Sequence, residues 1–166
     1  MAAPTIEGEV EITPLPAGFD GWQELLDLIQ AAFAYMDGVI DPPSSAQRLS
    51  PGVLKKKCAA ETVFVARYEG RLAGCIFLAD RGAHAYVGTL AVAPALQGCG
   101  IGRLLVETAE AEARRQGKRA IELQTRVELA GNHAAFARLG FRETARTAHE
   151  GFSRPTSITM QKELGA

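Results

Sequence analysis

Cysteine is scarce in this chain and shows none of the spacings that build a disulfide framework or a zinc site. The three cysteines, Cys58, Cys75 and Cys99, are odd in number, widely separated and contain no Cys-x-x-Cys pair. The three histidines are equally scattered and lack the two-histidine helical spacing that holds zinc. We therefore expect reduced thiols and no metal.

Long apolar runs and a strong net charge are also lacking. No stretch approaches the ~20 consecutive apolar residues that span a bilayer, and Met1–Glu11 has no basic region followed by an apolar run. The net charge is -1, and the densest basic run, Lys55–Lys57, is most simply a solvated helix face. These features predict a cytoplasmic protein that binds neither membrane nor nucleic acid.

The hydrophobic pattern of the chain predicts one α/β domain over residues 1–166. A length of 166 residues with 47% hydrophobic content is enough for a core of its own. The pattern alternates strands with amphipathic helices, which predicts a mixed sheet with helices on its faces. The predicted strands are Glu9–Thr13, Val63–Tyr68, Leu72–Ala79, Ala85–Val92, Arg119–Thr125, one beginning at Phe141, and Ser157–Leu164. The predicted helices run from an Asp20 N-cap to about Tyr35, from an N-cap at Ser50 to Ala60, from Gly100 to Gln116 and from Leu129 to Arg138.

Two features of the helical segments bear on packing and function. Leu25, Leu26 and Ile29 recur at helical spacing and predict a buried stripe on the first helix. On the long helix the same reasoning selects a face that includes Leu104, Leu105, Thr108, Ala109 and Glu112. Between the first two helices, Met36–Ser50 has turn residues and is long for a connector, which is typical of functional loops.

The stretch from Leu90 to Gly102 carries a strand through a glycine-rich turn directly into a helix. Glycine permits backbone angles closed to other residues, and a helix N-terminus presents unpaired amide groups and the positive end of a dipole. This combination predicts an anion site. The dinucleotide pattern Gly-x-Gly-x-x-Gly and the triphosphate pattern Gly-Lys-Ser/Thr do not fit this loop.

The loop Gln97–Gly102 resembles the Arg/Gln-x-x-Gly-x-Gly/Ala signature of the GCN5-related N-acetyltransferase (GNAT) superfamily. Downstream, Leu123–Arg126 and Phe136–Phe141 resemble the second conserved block of that superfamily, so the resemblance covers about Thr62 to Phe141. It implies a GNAT fold, with a mixed, mostly antiparallel sheet of about six to seven strands, about four helices and splayed central strands. A homodimer is an expectation from the family only.

The resemblance implies acetyl-coenzyme A as cofactor, with pantetheine beside the strand that ends in Leu90, Ala91 and Val92. Two positions depart from the family pattern. The asparagine that often opens the second-block helix falls on Leu129, and the tyrosine that often protonates the leaving thiolate falls on Phe136. Asn132 shares a helix face with Phe136, and we expect both to lie near the cofactor. The pyrophosphate would be held by Gln97, Gly98, Cys99, Gly100, Ile101, Gly102 and Arg103.

The reaction needs a base to remove a proton from the acceptor ammonium. Glu128, where a strand leaves the expected cleft, is the first candidate and Tyr86 the second, with His133 and His149 weaker. Acceptor recognition is expected from Met36–Ser50 and His149–Thr156. Within them, Asp37 and Asp41 would suit a cationic acceptor and Arg48 and Arg154 a carboxylate, and Ser44 is a further acceptor-binding candidate.

These features favour acetylation of the primary amine of a small molecule by direct attack in a ternary complex. Two alternatives stay open at this point. One is a protein N-terminal or lysine acetyltransferase. The other is a non-catalytic acyl-coenzyme-A sensor, since Phe136 cannot donate a proton and no base is unmistakable.

Overall fold

Seven strands and four helices make up the regular structure of residues 7–165, the part of the chain that the computed structural model describes. In chain order the strands are β1 (Val10–Pro14), β2 (Thr62–Tyr68), β3 (Arg71–Arg81), β4 (His84–Val92), β5 (Ala120–Arg126), β6 (Arg142–Thr147) and β7 (Ser157–Glu163). The helices are α1 (Trp22–Phe33), α2 (Pro51–Ala60), α3 (Ile101–Arg115) and α4 (Ala130–Arg138).

All seven strands form one sheet, in the order β1-β2-β3-β4-β5-β7-β6. Neighbouring strands are antiparallel except β4 and β5, which are parallel and connected through α3. This confirms the predicted mixed, mostly antiparallel sheet and the number of helices. None of the helices in the described range is both long and apolar enough to cross a membrane.

The caps of the first two helices show one confirmed prediction and one wrong one. Ser50 caps α2, because its hydroxyl oxygen accepts from the Val53 amide at 3.2 Å. Asp20 does not cap α1, whose N-cap is Gly21 without a side-chain hydrogen bond. The chain turns into α1 through an edge-on contact of Phe19 with the Trp22 ring, 5.0 Å between centroids. Because α1 begins at Trp22, Asp20 lies one residue before the capping position.

The sheet carries one hydrophobic layer on each face. Leu25, Leu26 and Ile29 of α1 are buried on one face, as the sequence predicts. On the other face α3 buries Ile101, Leu105, Val106, Ala109 and Ala113. The predicted face of this helix is therefore wrong in part: Leu104 is 41% exposed. The helix begins at Ile101, and steps of four from that residue set the buried stripe.

The irregular segment between α1 and α2 packs onto the end of the sheet. It contains two short 3₁₀ helices, Ala34–Met36 and Ser45–Arg48. Met36 and Ile40 form a small buried cluster with Leu129, the residue before α4. This contact fixes the segment beside α4 and explains the leucine at position 129.

Candidate functional site

The parallel strands β4 and β5 separate after four residue pairs. His84–Val87 pairs with Ala120–Leu123 and the pairing then stops, although β4 continues to Val92 and β5 to Arg126. Each strand stays paired on its outer edge, β4 with β3 and β5 with β7. The inner edges of Gly88–Val92 and Gln124–Arg126 therefore line a cleft of about 1420 Å³. This is the predicted splay, and Leu90, Ala91 and Val92 lie along it.

A β-bulge in β4 lies at the start of the split. The register of β4 on β3 passes from Leu78↔Val87 to Phe77↔Thr89 and skips Gly88. Because one extra residue reverses which side chains face each side, Val87 packs in the α3 layer while Ala91 packs in the α1 layer. The bulge thus turns Leu90 and Val92 toward α3, next to the glycine loop.

The glycine loop has the conformation of an anion site. Gly98 and Gly100 have φ of +80° and +88°, the left-handed region that favours glycine. Gly100 is the N-cap of α3, so the amide groups of Ile101, Gly102 and Arg103 open the helix without acceptors inside it. A Cβ added at Gly102 would lie 3.7 Å from Val92 Cγ2, which shows how closely this helix end approaches the split.

The side chains of the loop have different surroundings. Gln97 lines the cleft and its Nε2 donates to the Val92 carbonyl at 3.2 Å, which ties the loop to the end of β4. Arg103 also lines the cleft, but its guanidinium is exposed and pairs with Glu107 at 3.0 Å. Cys99 is the one predicted loop residue that does not line the cleft as the structure describes it.

Helix α4 forms the opposite wall. Asn132 and Phe136 both line the cleft, as expected from their shared helix face. Asn132 Nδ2 donates to the Tyr35 hydroxyl at 3.1 Å, which joins α4 to the Ala34–Met36 turn. The Phe136 ring packs edge-on against Phe141, 5.9 Å between centroids. Phe136 therefore offers an apolar surface at this wall and no proton.

The two candidate bases lie in different environments. Glu128 is not among the residues that line the cleft; its Oε2 accepts from the Asp41 amide at 3.0 Å, and its Oε1 is buried without a partner in the described chain. Tyr86 does line the cleft. Burial raises the pKa of Tyr86 above its ordinary value; the charge of Arg81 opposes this shift, and the charges of Glu122 and Glu61 add to it. The phenol therefore keeps its proton at neutral pH.

Five acceptor-binding residues were expected, and two of them line the cleft: Ser44 and Arg48. Asp37 lies at a separate small cavity, where its carboxylate accepts from Gln47 Nε2 at 2.7 Å. Asp41 and Arg154 pair with each other, with 3.5 Å between Oδ2 and the guanidinium nitrogen. The predicted acceptor residues thus divide into a cleft pair and three residues that bind other parts of the protein.

Sequence reasoning gave little or no weight to three residues of this site. Tyr35 and Arg126 line the cleft, and Arg126 donates to the carbonyls of Pro42 at 2.8 Å and Pro43 at 3.2 Å. His149 lines it as well, with Nδ1 in contact with the Thr156 hydroxyl. Burial and the Arg126 charge lower the pKa of His149 below its ordinary value. No local periodicity marks these contacts: the Arg126 contacts join residues 84 and 83 positions apart, and the His149–Thr156 contact forms within an irregular loop.

The cleft fits an extended thiol cofactor with a pyrophosphate. The free strand edges of the split offer main-chain hydrogen bonds, and the opening amides of α3 offer an anion site at its end. A split parallel strand pair joined to such a loop defines a class of acyl-coenzyme-A-dependent transferases. The model of the acetyltransferase (GNAT) family matches residues 22–141, and the chain belongs to this family. Its cofactor is acetyl-coenzyme A.

Solved structures share the fold. The ribosomal-protein-S18-alanine N-acetyltransferase from Escherichia coli superposes with a TM-score of 0.73 at 21% identity, covering 95% of this chain and 96% of that one. The PaiA N-acetyltransferase from Thermoplasma acidophilum, in complex with coenzyme A, gives 0.76 at 16% identity over 93% and 99%. A GNAT family acetyltransferase from Elizabethkingia anophelis with acetyl-coenzyme A bound gives 0.68 at 20% identity over 93% and 97%. At these identities the likeness establishes the fold alone. No match is found among curated protein sequences.

Proposed function

We propose that this protein transfers the acetyl group of acetyl-coenzyme A to the primary amine of a small molecule, by direct attack in a ternary complex. The observation that carries the choice of a small acceptor is a set of contacts across the end of the cleft opposite the glycine loop. They join Tyr35 and Met36–Ser50 to three other parts of the protein: β5, α4 and the His149–Thr156 loop.

Each of these contacts has a defined geometry. Arg154 pairs with the Asp41 carboxylate and also donates to its carbonyl at 3.3 Å. Arg126 holds the carbonyls of Pro42 and Pro43, and Asn132 holds the Tyr35 hydroxyl. A peptide acceptor needs a groove that continues beyond the reacting amine, and in this proposal these contacts close that groove. A small amine needs room only for itself beside the thioester, at the end of the cleft next to Met36–Ser50.

The charges that line the cleft beside Met36–Ser50 suit an acceptor that carries a carboxylate as well as its amine. Asp37 and Asp41 do not line the cleft and bind Gln47 and Arg154, whereas Glu150 lines it. Arg48 lines the cleft and forms no ion pair within the described residues. An amino-acid-like acceptor, with a carboxylate near Arg48 and Ser44, fits this arrangement.

The proposal assigns the cofactor's parts to particular residues. Leu90–Val92 would bind the pantetheine arm through the free edge of β4, and the opening amides of α3 would bind the pyrophosphate, with Gln97 holding the loop in place. When bound, acetyl-coenzyme A supplies a thioester carbonyl that a neutral amine can attack. Phe136 and Asn132 would orient the arm and exclude water from one side. Because a thiol has a pKa of about 8.5, its departure near neutral pH does not depend on a proton from α4.

Release of free thiol from acetyl-coenzyme A tests this function. The panel should contain amino acids, other small primary amines, and peptides that present an N-terminal amine or a lysine. We expect amine-dependent release with members of the first two groups and at least tenfold lower kcat/KM, about 1.4 kcal/mol of transition-state stabilisation, with the peptides. Faster turnover of peptides would favour a protein acetyltransferase. Tight cofactor binding without release by any amine would favour a sensor.

A further inference from the structure

We propose that His149 is the general base of this site and accepts the acceptor's ammonium proton at Nε2, with Thr156 as the positioning residue. This inference rests on the proposed function. It differs from the two sequence candidates, Glu128 and Tyr86, and comes from the hydrogen bonds around one buried hydroxyl group.

Thr156 is fully buried, and its hydroxyl has three neighbours. The amide of His149 donates to Thr156 Oγ1 at 2.8 Å, the His149 Nδ1 contacts the same oxygen, and the Thr147 carbonyl lies 3.4 Å away. A hydroxyl has one hydrogen to donate and two lone pairs to accept with. Of the three neighbours, the carbonyl can only accept and the amide can only donate. The Thr147 carbonyl also accepts from the Thr156 amide at 2.9 Å. The one arrangement in which all three contacts are hydrogen bonds sends the hydroxyl hydrogen to Thr147 and accepts from both the His149 amide and Nδ1.

This assignment fixes the tautomer of His149. If Nδ1 carries the hydrogen, the lone pair of the neutral ring is on Nε2. Nε2 has no hydrogen-bond partner among residues 7–165, and His149 lines the cleft. The imidazole is therefore held at one nitrogen by the protein, and its basic nitrogen has no partner in the described chain.

The surroundings keep the ring neutral at neutral pH. Burial comes first in lowering the pKa of His149, and the Arg126 guanidinium on β5 adds to it, while Glu128 opposes it. The remaining charges nearby are Glu150 on the same loop and the Arg154–Asp41 pair, whose opposite charges offset each other. A base must be unprotonated before it can accept a proton, so these surroundings suit the role.

The two sequence candidates are placed less favourably. Glu128 does not line the cleft, and its Oε2 accepts from the Asp41 amide while its Oε1 has no partner in the described chain. Tyr86 lines the cleft but keeps its phenolic proton. His133 lies nearby, but its Nε2 contacts the Arg126 carbonyl at 2.8 Å.

The proton step balances without another reactant. The N–H bond of the acceptor ammonium breaks, its electron pair stays on nitrogen, and the proton moves to Nε2 to give an imidazolium. Solvent at the cleft mouth then takes this proton and restores the neutral ring. The neutral amine that results is the nucleophile.

The first test is nitrogen NMR of the protein labelled at histidine, which needs no turnover. The chain has three histidines, so the variants His84→Gln and His149→Gln assign the signals. We expect His149 to show a protonated Nδ1 and an unprotonated Nε2 at neutral pH, and to titrate below an ordinary histidine. A hydrogen on Nε2, or a charged ring at pH 7, would overturn the proposal.

The second test is kinetic. His149→Gln should lower kcat by roughly 10²–10⁴-fold, with coenzyme A affinity and the thermal midpoint close to wild type, and added imidazole should partly rescue His149→Ala. Thr156→Val should also lower kcat, whereas Thr156→Ser, which keeps the hydroxyl, should restore most of it. His84→Gln is the matched control. If wild type turns over amines and His149→Gln stays within twofold at every pH, the base assignment fails and the proposed function stands. If wild type turns over no amine, the proposed function fails, and the NMR result still decides the tautomer.

Discussion

The Oε2 atom of Glu128 accepts a hydrogen bond from the Asp41 amide at 3.0 Å. The contact joins the turn between β5 and α4 to the Met36–Ser50 segment, 87 positions away in the chain. Asp41 in turn pairs with Arg154. Glu128 therefore anchors the loop that covers the acceptor end, and a role as base stays a prediction that a single variant can test.

Glu128→Gln separates the two roles. The amide oxygen of glutamine can still accept from Asp41, but it is not basic. We expect turnover within about threefold of wild type, since general-base assistance is typically worth roughly 10²–10⁴-fold and His149 supplies it in our account. Glu128→Ala removes the contact as well and should raise KM for the acceptor. If Glu128→Gln loses much of its kcat and regains it as the pH rises, Glu128 and not His149 is the general base.

Gly102→Asp tests the anion site without distorting the loop. Gly102 lies inside α3, and a side chain there meets only Val92 at an ordinary distance, whereas Gly100 has a positive φ that strains any side chain. A carboxylate in the first turn stabilises a helix by about 0.3–1 kcal/mol, so the variant should fold. It places like charge against the pyrophosphate. We expect calorimetry to show at least a tenfold loss of coenzyme A affinity, about 1.4 kcal/mol.

Gly102→Asn is the control for size, because it lacks the charge and should lose much less affinity. Equal coenzyme A affinities for wild type and Gly102→Asp would show that the pyrophosphate does not bind at this helix end.

Arg154→Ala tests whether the contacts across the acceptor end exclude peptides. The Arg154–Asp41 pair is exposed on both sides, so its loss should change the free energy of unfolding by less than about 1 kcal/mol. We expect the ratio of peptide to small-amine kcat/KM to rise. Arg142→Ala is the matched control, since it breaks an exposed pair with Glu163 at 3.3 Å on the β6–β7 edge. An unchanged ratio in Arg154→Ala would show that this pair does not limit acceptor size.

The buried thiol of Cys75 should make the folded protein less stable at alkaline pH. Burial raises the pKa of its thiol from 9.0 to about 12. Between these values the unfolded chain releases a proton that the folded chain keeps, so the stability present below pH 9 is lost as pH rises toward 12. At about pH 10 the expected loss from this residue is about 1.4 kcal/mol. Urea unfolding of wild type and Cys75→Ala at pH 8 and about pH 10 measures it. Equal changes in the two proteins would contradict the assignment.

Local patterns in the sequence were enough to predict the helices, the strands and the glycine loop that forms the anion site. Alternation and helical spacing identify the strands and helices, and Gly98 and Gly100 adopt the positive φ that their residue type suggests. The family resemblance supplied the splay of β4 and β5. It also marked Leu129 and Phe136 as departures, and the structure shows both as packing residues.

The remaining features of the site depend on how particular strands and side chains pair in the fold. The bulge at Gly88, the Tyr35–Asn132 hydrogen bond and the His149–Thr156 contact carry no periodic signal. Asp37 shows the same limit. Its charge suited a cationic acceptor, but in the fold its carboxylate accepts a hydrogen bond from Gln47. On α3 the residues Ile101, Leu105, Val106, Ala109 and Ala113 pack on the sheet, and this leaves Leu104 exposed.

The most direct test of the central claim is a mass measurement of the products after incubation with acetyl-coenzyme A and a small primary amine. Our account predicts acetylated amine and free coenzyme A in equal amounts, formed only with the protein present and more slowly with Gly102→Asp. Thiol release without acetylated amine, or acetylation confined to peptides when small amines and peptides compete, would contradict it.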